Sequence, residues 1–334
     1  MGKRHEQEVN VAAKIRLGVL SVARIGTVKV IPAMQKCAGL EVTAIASRDL
    51  GRARATAASL GIPQAYGSYE ELLADPAIDA IYNPLPNHLH VPWSIRAAEA
   101  GKHVLCEKPI GLDVAEVEKL IAARDRAGVQ IAEAFMIRVH PQWLRTREIV
   151  QSGEIGELRS LHCAFSFFNR DAANIRNKPE YGGGALMDIG CYPIHASRWI
   201  FDAEPRRATA RIERDPDFGI DHTISGLLDF PNGQALFTTS MQMNPYQRVQ
   251  FFGEKGSVEI EIPFNAPPDR ETRIFVRSGA VERTETFPVC DQYTLQGDAF
   301  AKAILGDGEV PVRLENALGN MKVMKALLDS STLK

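Results

Sequence analysis

The chain has 334 residues, 45% of them hydrophobic and 24% charged, with a formal net charge of -2. That length exceeds one average domain and supplies enough apolar residues for two cores. The near-neutral balance argues against a basic nucleic-acid-binding surface. The longest apolar runs are strand-sized, too short for a membrane span.

Residues 1–13 are mostly polar, lack the apolar run of a signal peptide, and read as a disordered leader. Five cysteines stand apart, at Cys37, Cys106, Cys163, Cys191 and Cys290, with no CxxC pair. The pattern predicts reduced thiols in a cytoplasmic protein without structural zinc. Short apolar strand candidates follow at Lys14–Leu20, Glu41–Ser47, Ala80–Asn83, His103–Cys106 and Val129–Ala132. Helical patterns separate them at Gly26–Cys37, Asp49–Leu60, Val91–Ala100 and Asp113–Ala127. This alternation predicts an α/β domain over residues 14–134, with a parallel sheet covered on both faces.

From about Arg159 to Thr286 the chain reads as strands joined by short turns. Candidates are Leu161–Phe168, Thr223–Phe230, Gln234–Met241, Val249–Phe252 and Ser257–Ile262, with a hairpin turn at Pro231-Asn232-Gly233. Short connections predict mostly antiparallel pairing, so residues 135–334 form a second, α+β domain. Helices at Thr294–Leu305 and Glu315–Ser330 end the chain and are candidates to pack back on the first domain.

After the first strand, Ser21-Val22-Ala23-Arg24-Ile25-Gly26 aligns with the dinucleotide fingerprint GxGxxG of a Rossmann domain. Two glycines are replaced, by Ser21 and Ala23. Ala23 still permits close approach of the backbone to a pyrophosphate, and the Ser21 hydroxyl can bind phosphate. An ordinary strand–turn–helix reads the same way. The second strand ends in Ser47-Arg48, with no acidic residue to hold a ribose 2′-hydroxyl. Ser47 and Arg48 suit a 2′-phosphate, which favours NADP over NAD.

Two loops leave the carboxyl edge of the predicted sheet, where ligands bind. One carries Pro84-Leu85-Pro86-Asn87-His88-Leu89-His90, the other Glu107-Lys108-Pro109. A glycine-rich run follows, Tyr181-Gly-Gly-Gly-Ala-Leu-Met-Asp188-Ile-Gly-Cys-Tyr192. In this order and spacing the motifs resemble the Gfo/Idh/MocA family of sugar oxidoreductases over nearly the whole chain. Tyr192 stands where many members carry His. With the 83–90 loop and the Ser21 and Ala23 replacements, it is similar to the branch of glucose–fructose oxidoreductase, D-xylose dehydrogenase and dimeric dihydrodiol dehydrogenase.

The resemblance implies a second domain built on a large open sheet, with homodimers or larger homo-oligomers formed through that sheet's exposed face. It implies catalytic roles for Lys108 and Tyr192, with Asp188 beside them. The implied cofactor set is Ser21, Val22, Ala23, Arg24, Ile25, Ser47, Arg48, Pro84, Leu85, Asn87, His90, Glu107, Lys108 and Arg138. Arg138 lies where the chain crosses between domains and is implied to contact phosphate. Arg176, Asp188, Tyr192, Lys108 and Tyr293 are the candidates for a sugar or polyol. No set of metal ligands is evident among the histidines.

The chemistry needs these residue types. Oxidising a sugar hydroxyl sends a hydride to nicotinamide and a proton to a base. Tyrosine, with an ordinary pKa of about 10, serves as base only if a cation such as Lys108 favours its phenolate. In reduction Tyr192 acts as general acid. The leading expectation is NADP-dependent aldose oxidation at C1, or its reverse. Alternatives are a hydride shuttle between two sugars with NADP tightly held, a trans-dihydrodiol dehydrogenase and a keto-deoxysugar reductase. A non-catalytic NADP sensor and a redox-assisted glycosidase are the readings from other classes. Taken singly, Lys108 also reads as a surface lysine, Asp188 as a helix cap after a flexible Gly182–Gly184 entry, and Tyr192 as a half-buried aromatic.

Overall fold

The computed structural model describes residues 14–331; the leader reading of residues 1–13 falls outside them. Six strands form the first sheet: β1 (Ile15–Leu20), β2 (Leu40–Ala46), β3 (Gln64–Tyr66), β4 (Ala80–Asn83), β5 (His103–Cys106) and β6 (Ile131–Glu133). All pair in parallel, in the order β3-β2-β1-β4-β5-β6. The strand order reverses between β1 and β4, which opens a crevice at their carboxyl ends. The strands have apolar cores because helices cover both faces; Leu17, Val19, Ile81 and Val104 are fully buried.

The covering helices are α1 (Ile31–Met34), α2 (Leu50–Leu60), α3 (Tyr69–Ala74), α4 (His90–Glu99) and α5 (Val114–Ala127). Asp49 and Asp113 cap α2 and α5 by accepting from the amides of Arg52 and Glu116. The periodicity over Gly26–Cys37 does not produce one α-helix. A widened π-type turn over Gly26–Val30 precedes only four α-helical residues. Pro32 explains this: it has no N–H to give the Val28 carbonyl, and its ring crowds that group.

The second sheet holds β7 (Leu158–Phe168), β8 (Arg207–Arg214), β9 (Asp221–Phe230), β10 (Gly233–Ser240), β11 (Gln242–Gly253), β12 (Gly256–Ile260), β13 (Thr272–Ser278) and β14 (Val281–Phe287). Its order is β14-β13-β12-β11-β7-β10-β9-β8. Every pair is antiparallel except β7–β10. Pro231 and Asn232 form the tight turn that brings Gly233 opposite Phe230. The edge strands β3, β8 and β14 escape a reading by composition because they are short or carry charge on alternate positions, as at Arg207 and Arg211.

Four more helices complete the chain: α6 (Pro141–Gln151), α7 (Cys191–Phe201), α8 (Gln292–Ile304) and α9 (Leu314–Ser330). Ten of the eleven residues of α7 are buried, so it lacks the one-sided apolar period that marks a helix in sequence. The C-terminal helices tie the two sheets together. Thr294 of α8 donates to the Ala33 carbonyl of α1 (2.8 Å), and Ser330 of α9 accepts from the Ala210 amide of β8 (3.0 Å).

Candidate active site

Lys108 leaves the sheet just beyond β5, and buried polar groups fix its loop. The Tyr82 hydroxyl donates to Glu107 Oε1 (2.8 Å), and the Ile110 amide donates to Glu133 Oε1 (2.9 Å). The ring nitrogens of His90 face the carbonyls of Pro109 (2.8 Å) and Leu85 (2.6 Å). Burial pushes the His90 pKa down to about 4, so its neutral ring donates to one carbonyl at a time. Both His90 nitrogens are turned to the protein, where they clasp the 84–86 loop to the Lys108 loop, and the residue also lines the cavity described below.

The glycines before Asp188 are not a flexible entry. Added side chains would collide with the Arg176 carbonyl at Gly183 and with the Asp221 carboxylate at Gly184, whose φ is 116°. A π-type turn over Leu186–Gly190 then runs into α7, and Asp221 Oδ2 accepts from the Leu186 amide at its start (2.6 Å). As at Pro32, a proline explains the widening, since Pro193 has no N–H for the Ile189 carbonyl. Asp188 therefore sits inside a helical turn, not at a cap.

The wide turn aims Asp188 at two cations. Its Oδ2 accepts from Arg176 Nε (2.7 Å), and its Oδ1 lies 3.5 Å from Lys108 Nζ. Lys108 also donates to the Asp188 carbonyl (2.6 Å). Burial opposes the Asp188 charge, but Arg176 and Lys108 outweigh it and hold its carboxyl below the usual range. Burial likewise opposes the Lys108 ammonium, and Asp188 reverses that balance, so Lys108 stays protonated.

Tyr192 joins the cluster in an unexpected way. Lys108 Nζ lies over its ring, 4.9 Å from the centroid, and not beside its oxygen. The hydroxyl faces Met136 Sδ at 3.6 Å, a weak acceptor. Burial pushes the Tyr192 pKa well above its ordinary value. The expectation that Lys108 promotes a phenolate is thus corrected: in this geometry Tyr192 holds its proton.

A cavity of about 1660 Å³ connects these groups to the loop after β1. Ala23, Arg24, Ile25, Pro84, Leu85 and Asn87 line it, as do Glu107, Arg176 and Tyr293. Ser21 forms the tight turn that the first fingerprint glycine serves elsewhere, with φ 74°, and its hydroxyl accepts from the Ala23 amide (3.3 Å). Val22 packs against the core behind the loop. The Ser21 amide donates to Ala46 (2.9 Å), which places Ser47 and Arg48 next to that loop but outside the main cavity.

Arg138 departs from expectation. Its guanidinium lies over the Trp199 ring of α7, 4.4 Å from the centroid, and does not line the cavity. Sequence reading missed Phe165 as lining, and Glu133 and Asp221 as buried supports of the two motifs. Phe165 looks like a core residue, and single carboxylates in strands give no spacing signal.

Comparison with known proteins agrees with the two-domain fold. Residues 15–135 match the model of an oxidoreductase family with an NAD-binding Rossmann fold, and residues 143–259 match the GFO/IDH/MocA C-terminal domain. An uncharacterised oxidoreductase of Rhizobium meliloti is 50% identical, covering 95% of this chain and 97% of its own. The NADP(+)-dependent D-xylose 1-dehydrogenase 2 of Haloferax volcanii is 41% identical, covering 94% and 96%. The 3-ketoreductase KijD10 of Actinomadura kijaniata, solved with NADP and TDP-benzene, superposes with a TM-score of 0.87 at 31% identity, covering 95% and 98%. The chain belongs to the Gfo/Idh/MocA family of oxidoreductases, whose N-terminal domain is an NAD-binding Rossmann fold.

Proposed function

We propose that the protein is an NADP-dependent dehydrogenase acting at C1 of a free aldose. The observation that carries this reading is the Lys108–Asp188–Tyr192 cluster, set at the carboxyl edge of the first sheet in one cavity with the 23–25 loop. Ser47 and Arg48, without an acidic partner at the end of β2, support NADP, as do the cofactors named for the two characterised relatives. The xylose dehydrogenase supports the aldose.

The residues divide the work. When bound, NADP supplies the hydride acceptor. Lys108 and Asp188 orient the C1 hydroxyl, and Arg176 holds Asp188 charged. The Tyr192 hydroxyl has only Met136 Sδ as partner, so it turns readily to a sugar oxygen. In oxidation it takes the proton of that oxygen as hydride also leaves the sugar, and in reduction it returns the proton as hydride arrives. A second reading, reduction of a sugar ketone, is favoured by one observation: Tyr192 is held in its proton-donating form. Two copies pair through the open face of the second sheet, where Leu227 and Leu236 are each 38% exposed.

A panel of aldoses and keto-sugars, each with NAD and NADP in both directions, tests the reading. Turnover of an aldose to its lactone with NADP supports it. Activity confined to keto-sugar reduction transfers the assignment to the second reading, and a preference for NAD removes the Ser47–Arg48 argument.

A further inference from the structure

Glu133 is a buried carboxylate near the cluster that the proposed chemistry does not use. It ends β6, beside the end of β5, and is 3% exposed. Its Oε1 accepts from the Ile110 amide at 2.9 Å, two residues beyond Lys108. Its Oε2 is buried with no hydrogen-bond partner among the described residues. A purely structural anchor is better served by a neutral amide, because a half-paired buried carboxylate is costly.

We propose that Glu133 is a positioning residue for Lys108, holding the catalytic loop through the Ile110 amide when ionised and loosening it when protonated. The inference rests on the assignment of Lys108 above. A carboxylate accepts from an amide more strongly than a carboxyl group does, so the hold depends on ionisation. The charged and titratable groups around Glu133 come from two elements. Cys106, Glu107 and Lys108 lie at the end of β5 and just beyond it; Cys191 and Arg198 lie on α7. Burial raises the carboxyl pKa, and the Ile110 amide, Arg198 and Lys108 only partly offset this, leaving it at about 7. The hold is therefore full above neutrality and fades as pH falls through that value.

The test uses the full chain with NADP and an aldose turned over in the panel. The wild type is expected to show an acid limb in kcat/KM near pH 7. In E133Q the amide still accepts from Ile110 but cannot titrate, so the limb disappears. In that variant kcat falls about 10-fold while both KM values hold within about twofold. In E133D the shorter side chain withdraws from Ile110, so kcat falls and the limb is lost or much reduced. Infrared spectroscopy adds a readout free of turnover: a protonated-carboxyl band that fades near pH 7 in the wild type and shifts in E133D.

An E133Q enzyme with wild-type kcat and an intact acid limb overturns the proposal. So does a band that titrates in the ordinary carboxylate range. If E133Q does not fold, E133D decides alone, since wild-type kcat there is equally fatal. A K108A enzyme that turns over normally removes the role of Lys108 instead, and the infrared titration separates the two failures.

Discussion

Lys108 and Tyr192 meet cation to ring face, and that geometry decides where the proton rests. Both groups are protonated in the free protein, so Tyr192 must first release its proton to solvent before it can take the sugar hydroxyl's proton in oxidation. Above the Glu133 limb near pH 7, the oxidative rate at saturating aldose is expected to keep climbing toward the ordinary tyrosine value of 10, while the reductive rate stays flat there. A pH–rate profile in both directions checks this; an oxidative plateau near neutrality contradicts it. Removing the ammonium in K108A should lower kcat/KM by about 100-fold to 10,000-fold with NADP affinity kept within a few-fold, measured by fluorescence titration and steady-state kinetics.

Glu133 makes a separate statement about stability. Its folded pKa is raised, so the folded chain binds that proton more tightly than the unfolded chain. The stabilising effect is full below the ordinary glutamate value and is lost as pH rises through about 7. The full loss is on the order of 3 kcal/mol. E133Q should therefore melt higher than the wild type at pH 8 and close to it at pH 5, as read by calorimetry in both buffers.

At the scale of elements, the side chain of Asp188, proposed to orient the substrate, is aimed by a turn that departs from an ideal helix. The π-type turn over Leu186–Gly190 points Asp188 at Lys108, and the Asp221 carboxylate holds its first amide. Substituting Asp221→Ala leaves the Leu186 amide buried and unpaired, at a cost of about 1–3 kcal/mol. It should lower kcat more than it lowers NADP affinity, and a wild-type kcat in a folded D221A protein would break the link between this cap and Asp188. At the β2–α2 junction, Arg48→Asp should shift cofactor preference toward NAD, because a carboxylate repels a 2′-phosphate and accepts from a 2′-hydroxyl. The ratio of kcat/KM for NADP and NAD measures the shift.

At the scale of the whole molecule, the helices cover one face of the second sheet and leave the other open. Leu227 and Leu236 face outward there, with Tyr246 and Met243 toward one end. Light scattering should give a dimer mass for the wild type. L236R combined with L227R should give a monomer, since burying two arginines per copy in a self-paired face is unfavourable. A monomeric wild type removes the pairing.

Sequence by itself determined the alternation of β1, β2, β4, β5 and β6 with helices, the hairpin at Pro231–Asn232 and the order of the Lys108 and Asp188–Tyr192 motifs. These features are local: apolar period, turn chemistry and spacing are readable wherever neighbours in sequence decide the conformation. The tertiary structure decided the rest. It turned Gly182–Gly184 from an apparent hinge into a crowded approach, and set Arg138 on Trp199 instead of toward a phosphate. It also placed Lys108 over the ring of Tyr192 and not beside its hydroxyl. It brought Glu133 and Asp221 behind the Lys108 and Asp188 segments, distant in the chain. Such contacts join residues far apart in sequence inside a low-dielectric core, where burial outweighs intrinsic pKa and propensity, so no single segment carries their signal.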